Sequence, residues 1–164
     1  MIKRRAFVVP LAIFSLAASS VVTPKSQCED LLNAVLPFAK KMLAAHREFH
    51  PFGASMKPDG TIALAGATDG HEHPPSQALI DLLRDGFIGE AKRGLIIASA
   101  TAYDVRVIPP GGTEKSDAIA VELDHRDNYS VIVLLPYKIS GNNVQFGETF
   151  AQKGRSRIFV GHGS

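Results

Sequence analysis

Residues 95–108 read LIIASATAYDVRVI, and this stretch decides the fold class of the chain. Its apolar and β-branched side chains predict a long strand. Small residues recur along one face at Ala98, Ala100 and Ala102, so a helix can approach that face closely. The opposite face is also apolar, although a sheet with solvent on one side should alternate more cleanly. We therefore expect the second face to be covered by the N-terminal helix, a ligand or a second copy of the chain. Burial by the chain's own domain is the simplest case, and dimerisation is the next.

Six further strands are predicted on either side of this stretch. The first two flank Lys57-Pro58-Asp59-Gly60, whose residue types favour the tight turn of a β-hairpin. The others follow residue 108 and are separated by polar or glycine-containing turns. The predicted strands cover residues 52–56, 61–65, 117–124, 129–137, 144–150 and, as a short last strand, 157–160.

Two helices are predicted before residue 95. Apolar residues recur at helical spacing between residues 28 and 49, and Pro51 ends this run. Pro37 lies inside it and removes a backbone hydrogen bond, which predicts a kink or two abutting helices. The second helix has its apolar positions between residues 79 and 91, and Gly94 stands where a C′ glycine belongs.

The predicted order is therefore helix, hairpin, helix and a meander of three or more strands. A single antiparallel sheet of about five strands with helices packed on one face is the simplest α+β arrangement. This order resembles that of profilin-like and PAS-like sensor and scaffold domains over roughly residues 28–150, which implies the fold and no particular activity. The chain is also similar to a group of uncharacterised bacterial exported proteins in the stretches Phe52-Gly53-Ala54, His73-Pro74-Pro75-Ser76-Gln77, Ala102-Tyr103-Asp104-Val105-Arg106 and Lys115-Ser116-Asp117-Ala118-Ile119.

The first 20 residues have the order of a secretory signal peptide. A cationic start at Lys3, Arg4 and Arg5 precedes an apolar run at residues 6–18, and small residues follow. The apolar run is shorter than the roughly 20 residues of a membrane-spanning helix. We expect a cleaved signal peptide at 1–20, a linker at 21–27 and one domain at 28–164. The protein would then be periplasmic or secreted, with no stable membrane span; an uncleaved N-terminal anchor is the alternative.

Four histidines form a candidate metal site. His46 and His50 are four residues apart, so they would share one face of a continuing helix as two zinc ligands. His71 or His73, in the loop before the second helix, would supply a third ligand. This pattern favours a metal-dependent hydrolase as an alternative function. The same residues also have structural interpretations, since His46 falls on the apolar stripe and the loop histidines can simply be exposed.

A candidate ligand-binding site lies on the strands of the C-terminal half. Asp104 and Arg106 are two residues apart, so both project from the same face of a strand. The guanidinium of Arg106 could hold an anionic ligand in a bidentate manner, with Tyr103 or Tyr137 nearby. The competing interpretation is a cross-strand ion pair, such as Arg106 with Glu122, that only stabilises the sheet.

Charge and motif content narrow the function classes. The chain has 18 basic and 16 acidic residues, and leaving out the three cations of residues 3–5 gives 15 against 16. The remaining domain thus has no basic excess for nucleic-acid binding. Cys28 is the only cysteine, so no disulfide can form within the chain. Neither a nucleophile elbow nor a dinucleotide fingerprint occurs. We expect a non-enzymatic module that binds a small molecule or a partner protein; a structural homodimer is a further alternative.

Overall fold

The computed structural model describes residues 21–72 and 74–160. The expected signal peptide at 1–20, His73 and residues 161–164 lie outside the described residues. The described chain forms two helices and seven strands. Their bounds are α1 (Pro24–His46), β1 (Phe52–Met56), β2 (Ile62–Gly66), α2 (Ser76–Lys92), β3 (Ala98–Val107), β4 (Ser116–His125), β5 (Tyr129–Ser140), β6 (Asn143–Phe146) and β7 (Phe150–Lys153). In this part of the chain no helix is both long and apolar enough to cross a lipid bilayer.

The predicted α+β class is confirmed. All seven strands belong to one antiparallel sheet in the order β2-β1-β3-β4-β5-β6, and β7 also pairs with β5. The sheet has seven strands rather than about five, and the 12 residues of β5 leave room for both β6 and β7 to pair with it. β6 pairs with residues 137–140 of β5, while β7 pairs with residues 131–134. The predicted strand at 144–150 is thus divided in two, and residues 157–160 are not a strand.

Helix α1 begins at Pro24, so residues 24–27 of the expected linker are helical. A capping box starts the helix: Thr23 Oγ1 accepts the N–H of Ser26, and the hydroxyl of Ser26 accepts the N–H of Thr23. The helix continues through Pro37 as one element. Pro37 is exposed, so water can bind the carbonyl that the missing N–H leaves free. Arg47 ends the helix in a left-handed conformation.

The main hydrophobic core lies between α1 and one face of the sheet. The small residues of β3 have let α1 approach closely, as the sequence predicted, and they are fully buried. Close packing of this kind supplies most of the stability of a helix in a protein. The core includes Leu31, Val35, Ala39 and Leu43 of α1, Ala54 of β1, Ala98, Ala100 and Ala102 of β3, and Ile119, Val121 and Leu123 of β4.

Both helices pack against the sheet, but α2 takes the face opposite α1, whereas the sequence predicted both helices on one face. Phe52 and Ala54 belong to the α1 core. A Cβ atom on Gly53, between them, would instead lie 2.8 Å from the ring of Phe87 in α2. Because successive side chains of a strand point to opposite faces, α2 lies on the second face. The chain itself therefore covers part of that face, but through α2 and not through the N-terminal helix that the sequence predicted there.

The C-terminal segment covers a further part of this second face. Ile158 and Phe159 are buried against Leu83 and Phe87 of α2. Residue Asp124, at the end of β4, holds the segment in place: its Oδ2 accepts the backbone N–H groups of residues 157 and 158 at 2.8 and 2.9 Å. Burial raises the pKa of this carboxyl, although the two hydrogen bonds oppose that shift.

Candidate functional site

A cavity of about 680 Å³ opens at the end of the sheet that α2 does not cover. One wall is the loop between β3 and β4, and the other is the segment from β6 to the start of β7. Ser116 and Pro136 lie between these walls on the sheet itself. The volume falls within the range of about 300–1,000 Å³ found for small-molecule sites. The lining residues are 109, 110, 112–116, 136–138 and 145–150.

Turn chemistry places the two walls of the cavity. The carbonyl of Pro109 accepts the N–H of Gly112 at 3.0 Å, and Gly111 has a φ of +74°. Proline followed by a glycine with positive φ is the pattern of a type II turn, so the β3–β4 loop folds back locally. On the other side, the N–H of Gly147 donates to the carbonyl of Pro136 at 2.8 Å, which turns the chain after β6.

The lining of the cavity combines apolar and charged groups. Three prolines and Phe150 supply apolar surface, and threonine, serine and glutamine side chains supply hydrogen-bonding groups. The lining contains two lysines, Lys115 and Lys138, and two glutamates, Glu114 and Glu148. Its formal charges therefore cancel. Such a surface suits an organic molecule with an apolar body and a few polar groups.

Three of the four predicted ligand-binding residues lie on one face of the sheet. The hydroxyl of Tyr137 donates to Asp104 at 2.8 Å, and Arg106 binds Asp117, its direct cross-strand neighbour, at 3.1 Å. The predicted pair of Arg106 with Glu122 is therefore wrong. Burial and then the bond to Asp104 raise the pKa of the Tyr137 hydroxyl. Of the predicted residues, Tyr137 is the one that also lines the cavity.

Tyr103 lies on the opposite face and does not join the other three. Its hydroxyl donates to Glu122 at 3.0 Å, and burial together with this carboxylate raises its pKa. Glu122 also accepts two hydrogen bonds from Arg84 of α2, at 3.0 and 3.1 Å. Tyr103 directly precedes Asp104 in β3, and successive side chains of a strand point to opposite faces. The same alternation, applied to the residue numbers, predicts from the sequence alone that Tyr103 and Asp104 point to opposite faces.

The structure does not bring the predicted histidine cluster together. α1 ends at His46, so His50 lies beyond the helix and both side chains are exposed. His71 is exposed in the loop before α2, where its Nδ1 lies 3.3 Å from Asp69. The described ranges 21–72 and 74–160 contain no group of three histidine, cysteine, aspartate or glutamate side chains placed to hold a metal ion.

The histidine with the most defined environment, His125, was missed at the sequence level. It is buried, and its Nδ1 accepts the N–H of Asp127 at 3.0 Å. The other ring nitrogen, Nε2, therefore carries the proton and donates to Gln27 at 2.9 Å. Burial lowers the pKa of His125, so the neutral ring ties the start of α1 to the end of β4. His125 lies in a polar run that predicts a turn, so the sequence pattern did not indicate this structural role.

The cavity itself was also missed, because the Pro-Pro-Gly-Gly run at 109–112 indicated only the end of a strand. A loop and a distant turn form one cavity only when the meander brings residues 109–116 beside residues 145–150. No protein-family model, curated protein or solved structure matches this chain. The resemblance to profilin-like and PAS-like domains stays a prediction from the order of elements.

Proposed function

We propose that this protein is a small, non-enzymatic binding module that holds an organic small molecule in the cavity of about 680 Å³. The single observation that carries the proposal is this cavity, whose two walls are fixed by backbone hydrogen bonds of the turns at 109–112 and 147. Preformed walls favour binding because little conformational entropy is lost when the ligand enters.

The chemistry of the lining defines the ligand class. Two lysines and two glutamates leave no net charge to attract a strongly anionic or cationic molecule. An uncharged or zwitterionic ligand with a ring-sized apolar portion fits best, because prolines and Phe150 offer flat apolar surface. Binding is favoured over catalysis because the sequence carries no nucleophile elbow, phosphate-binding loop or dinucleotide fingerprint.

A fragment screen by NMR tests this function. ¹⁵N-labelled protein is titrated with a library of neutral and zwitterionic aromatic fragments, and we expect shifted amide signals to cluster in residues 109–116 and 145–150. Thr149→Trp places a large ring at the exposed rim of the cavity and should weaken the best fragment by about ten-fold or more. Asn33→Trp, at an exposed position of α1, is the control and should bind normally.

Either of two results would contradict the proposal. The fragments could shift signals scattered over the surface, or Thr149→Trp and Asn33→Trp could bind the best fragment equally well. The wild-type chain contains no tryptophan, so each variant carries a single one. Circular dichroism shows whether each variant has folded.

We further propose that the module acts after export, as periplasmic or secreted protein. The support is the sequence pattern of residues 1–20, with its cationic start and short apolar run. Expression of the full chain in a bacterial host should give a periplasmic product lacking about 20 N-terminal residues by mass spectrometry. Leu11→Arg interrupts the apolar run and should leave the precursor in the cytoplasm. A membrane-bound product of full length would favour the uncleaved anchor.

A further inference from the structure

Strand β2 forms one edge of the sheet, and its outer backbone groups are unpaired within the described chain. One hydrogen bond of the hairpin shows which backbone groups of β2 face β1: the N–H of Lys57 donates to the carbonyl of Thr61 at 2.9 Å. Paired and unpaired positions alternate along an antiparallel strand. The N–H and C=O groups of Ile62, Leu64 and Gly66 therefore point away from β1, toward the open side of the sheet.

This edge lacks the devices that usually prevent a second strand from pairing with it. Edge strands are commonly protected by lysine, proline or an inward-pointing charge. Residues 61–67 read TIALAGA and contain no charged residue and no proline. Leu64 is 59% exposed in the middle of the strand. The edge thus presents three N–H groups, three carbonyls and an apolar surface together.

A groove runs along this edge, between β2 and α2. It has a volume of about 220 Å³ and is separate from the cavity at the other end of the sheet. Ala63 and Ala65 of β2 line one side, and Gly86 and Phe87 of α2 line the other. Leu64, Leu82 and Leu83 also line the groove. The small side chains of Ala63, Ala65 and Gly86 leave room between them for aliphatic side chains that enter from a neighbouring strand.

Glu90 is the charged residue that lines this groove. Within the described part of the chain, its carboxylate forms no salt bridge. A lysine or arginine at one end of an entering strand would therefore meet a carboxylate without competition. β2 itself carries no cation, so a second copy of the chain pairing edge to edge would leave Glu90 unmatched.

We propose that this edge and groove bind an extended peptide segment of a partner protein, with alternate aliphatic side chains and a basic residue beside Glu90. The backbone of the peptide adds one strand to the sheet next to β2, and its hydrogen bonds to Ile62, Leu64 and Gly66 supply affinity. Every second side chain enters the groove against α2 and supplies specificity. The site is independent of the small-molecule cavity.

Selection from a phage-displayed library of random heptapeptides tests the proposal on the mature chain. We expect enriched sequences to alternate aliphatic residues and to carry lysine or arginine at one end. A synthetic copy of the best sequence should shift amide signals of residues 62–66 and 82–90 in a ¹⁵N-labelled sample. Repeating the selection on Glu90→Gln should remove the preference for the basic residue.

Two pairs of variants separate binding from folding. Gly86→Leu fills the groove, and Gly89→Leu is its control; at both positions an added Cβ meets no atom within 4 Å. Leu64→Pro removes an outward N–H without removing a bond to β1, and Leu64→Thr keeps that N–H. Gly86→Leu and Leu64→Pro should each weaken the peptide by about ten-fold or more, whereas the two controls should change affinity less than about three-fold.

Several results would overturn the proposal. The library could yield no consensus, or the selected peptide could shift signals away from β2 and α2. The peptide could also bind Gly86→Leu as well as it binds Gly89→Leu, which decides the question even if Leu64→Pro fails to fold. Dimerisation of the free protein that Leu64→Pro abolishes would assign the edge to a second copy of the chain instead.

Discussion

The ion pair between α2 and β4 should stabilise the fold much more than a surface ion pair of similar length. Arg84 binds both carboxylate oxygens of Glu122 at 3.0 and 3.1 Å, and the two side chains are 16% and 22% exposed. Arg106 and Asp117 lie 3.1 Å apart, but their side chains are 71% and 47% exposed. The N–O distances of the two pairs are nearly equal, and the pairs differ mainly in their exposure to water. Comparing them therefore shows how burial changes the contribution of an ion pair to stability.

The expected magnitude follows from this difference. Removing one partner of a buried pair costs about 3–5 kcal/mol, because the other charge is left without compensation. Arg84 and Glu122 keep some solvent contact, and Arg84 also lies 3.6 Å from Asp81. We therefore expect Glu122→Gln to lower the free energy of unfolding by about 2–3 kcal/mol, which is about 8–12 °C in Tm for a domain of this size. Asp117→Asn should cost about 0.2–1 kcal/mol.

Urea unfolding followed by circular dichroism measures both pairs in double-mutant cycles. Arg84→Met, Glu122→Gln and the double variant should give a coupling energy of at least about 1.5 kcal/mol. Glutamine at position 122 can still accept the hydroxyl of Tyr103, so this bond adds little to the cycle. A coupling energy below about 0.5 kcal/mol, equal to that of the Arg106 and Asp117 cycle, would refute the reasoning.

Burial leads to three other predictions. The free energy of unfolding should fall as pH drops below the ordinary histidine pKa of 6.5, because burial lowers the pKa of His125 and only the unfolded chain readily takes up the proton. Urea titrations across this range should show the slope, at most about 1.4 kcal/mol per pH unit for one group, and His125→Gln should flatten it. Burial also raises the pKa of the Cys28 thiol to about 12, so a disulfide reagent such as DTNB should modify it only after unfolding. Gly53→Ala should destabilise the protein by about 1–3 kcal/mol, since its methyl would lie 2.8 Å from the ring of Phe87. Gly86→Ala should instead stabilise the protein by about 0.5–1 kcal/mol. Thermal unfolding measures both changes.

Each of these predictions has its own control. His71→Gln changes an exposed histidine and should leave the pH slope of wild type intact. Rapid reaction of DTNB with the folded chain would contradict the burial of Cys28 between α1 and the sheet. If Gly53→Ala and Gly86→Ala had equal Tm values, α2 would not contact β1 as closely as described.

Local patterns allowed much of the fold to be predicted. The hairpin formed as expected because the residue types of Lys57-Pro58-Asp59-Gly60 favour a tight turn locally. The strands on either side begin and end within one residue of the prediction. Helix α2 ends at Lys92, close to the predicted Gly94, which has a φ of +69°. The predicted start of α1, residue 28, lies four residues after the observed start at Pro24. The reason is that Thr23 and Ser26, which form the cap of the helix, are polar and resemble a linker.

The candidate site was less predictable, because it depends on residues that are distant in the sequence. The cavity joins residues 109–116 to residues 145–150, and the groove joins β2 to α2. His46 and His50 have metal-ligand spacing, but that spacing matters only if a helix continues through both, and Arg47 ends it. Glu122 was predicted to pair with Arg106, because nothing local indicates which of the several charged residues will meet, and it binds Arg84 instead.

The sequence by itself determined the α+β class, the order of elements and the small-residue face of β3, because helical and strand periodicity and turn chemistry act over a few neighbouring residues. Only the tertiary structure decided that α1 and α2 take opposite faces, that β2 is left as an open edge and that two loops enclose a cavity. The physical reason is that β3 has small or apolar residues on both faces and is buried on both over residues 98–102, so either face can pack against a helix, and the choice follows from how all the elements pack together.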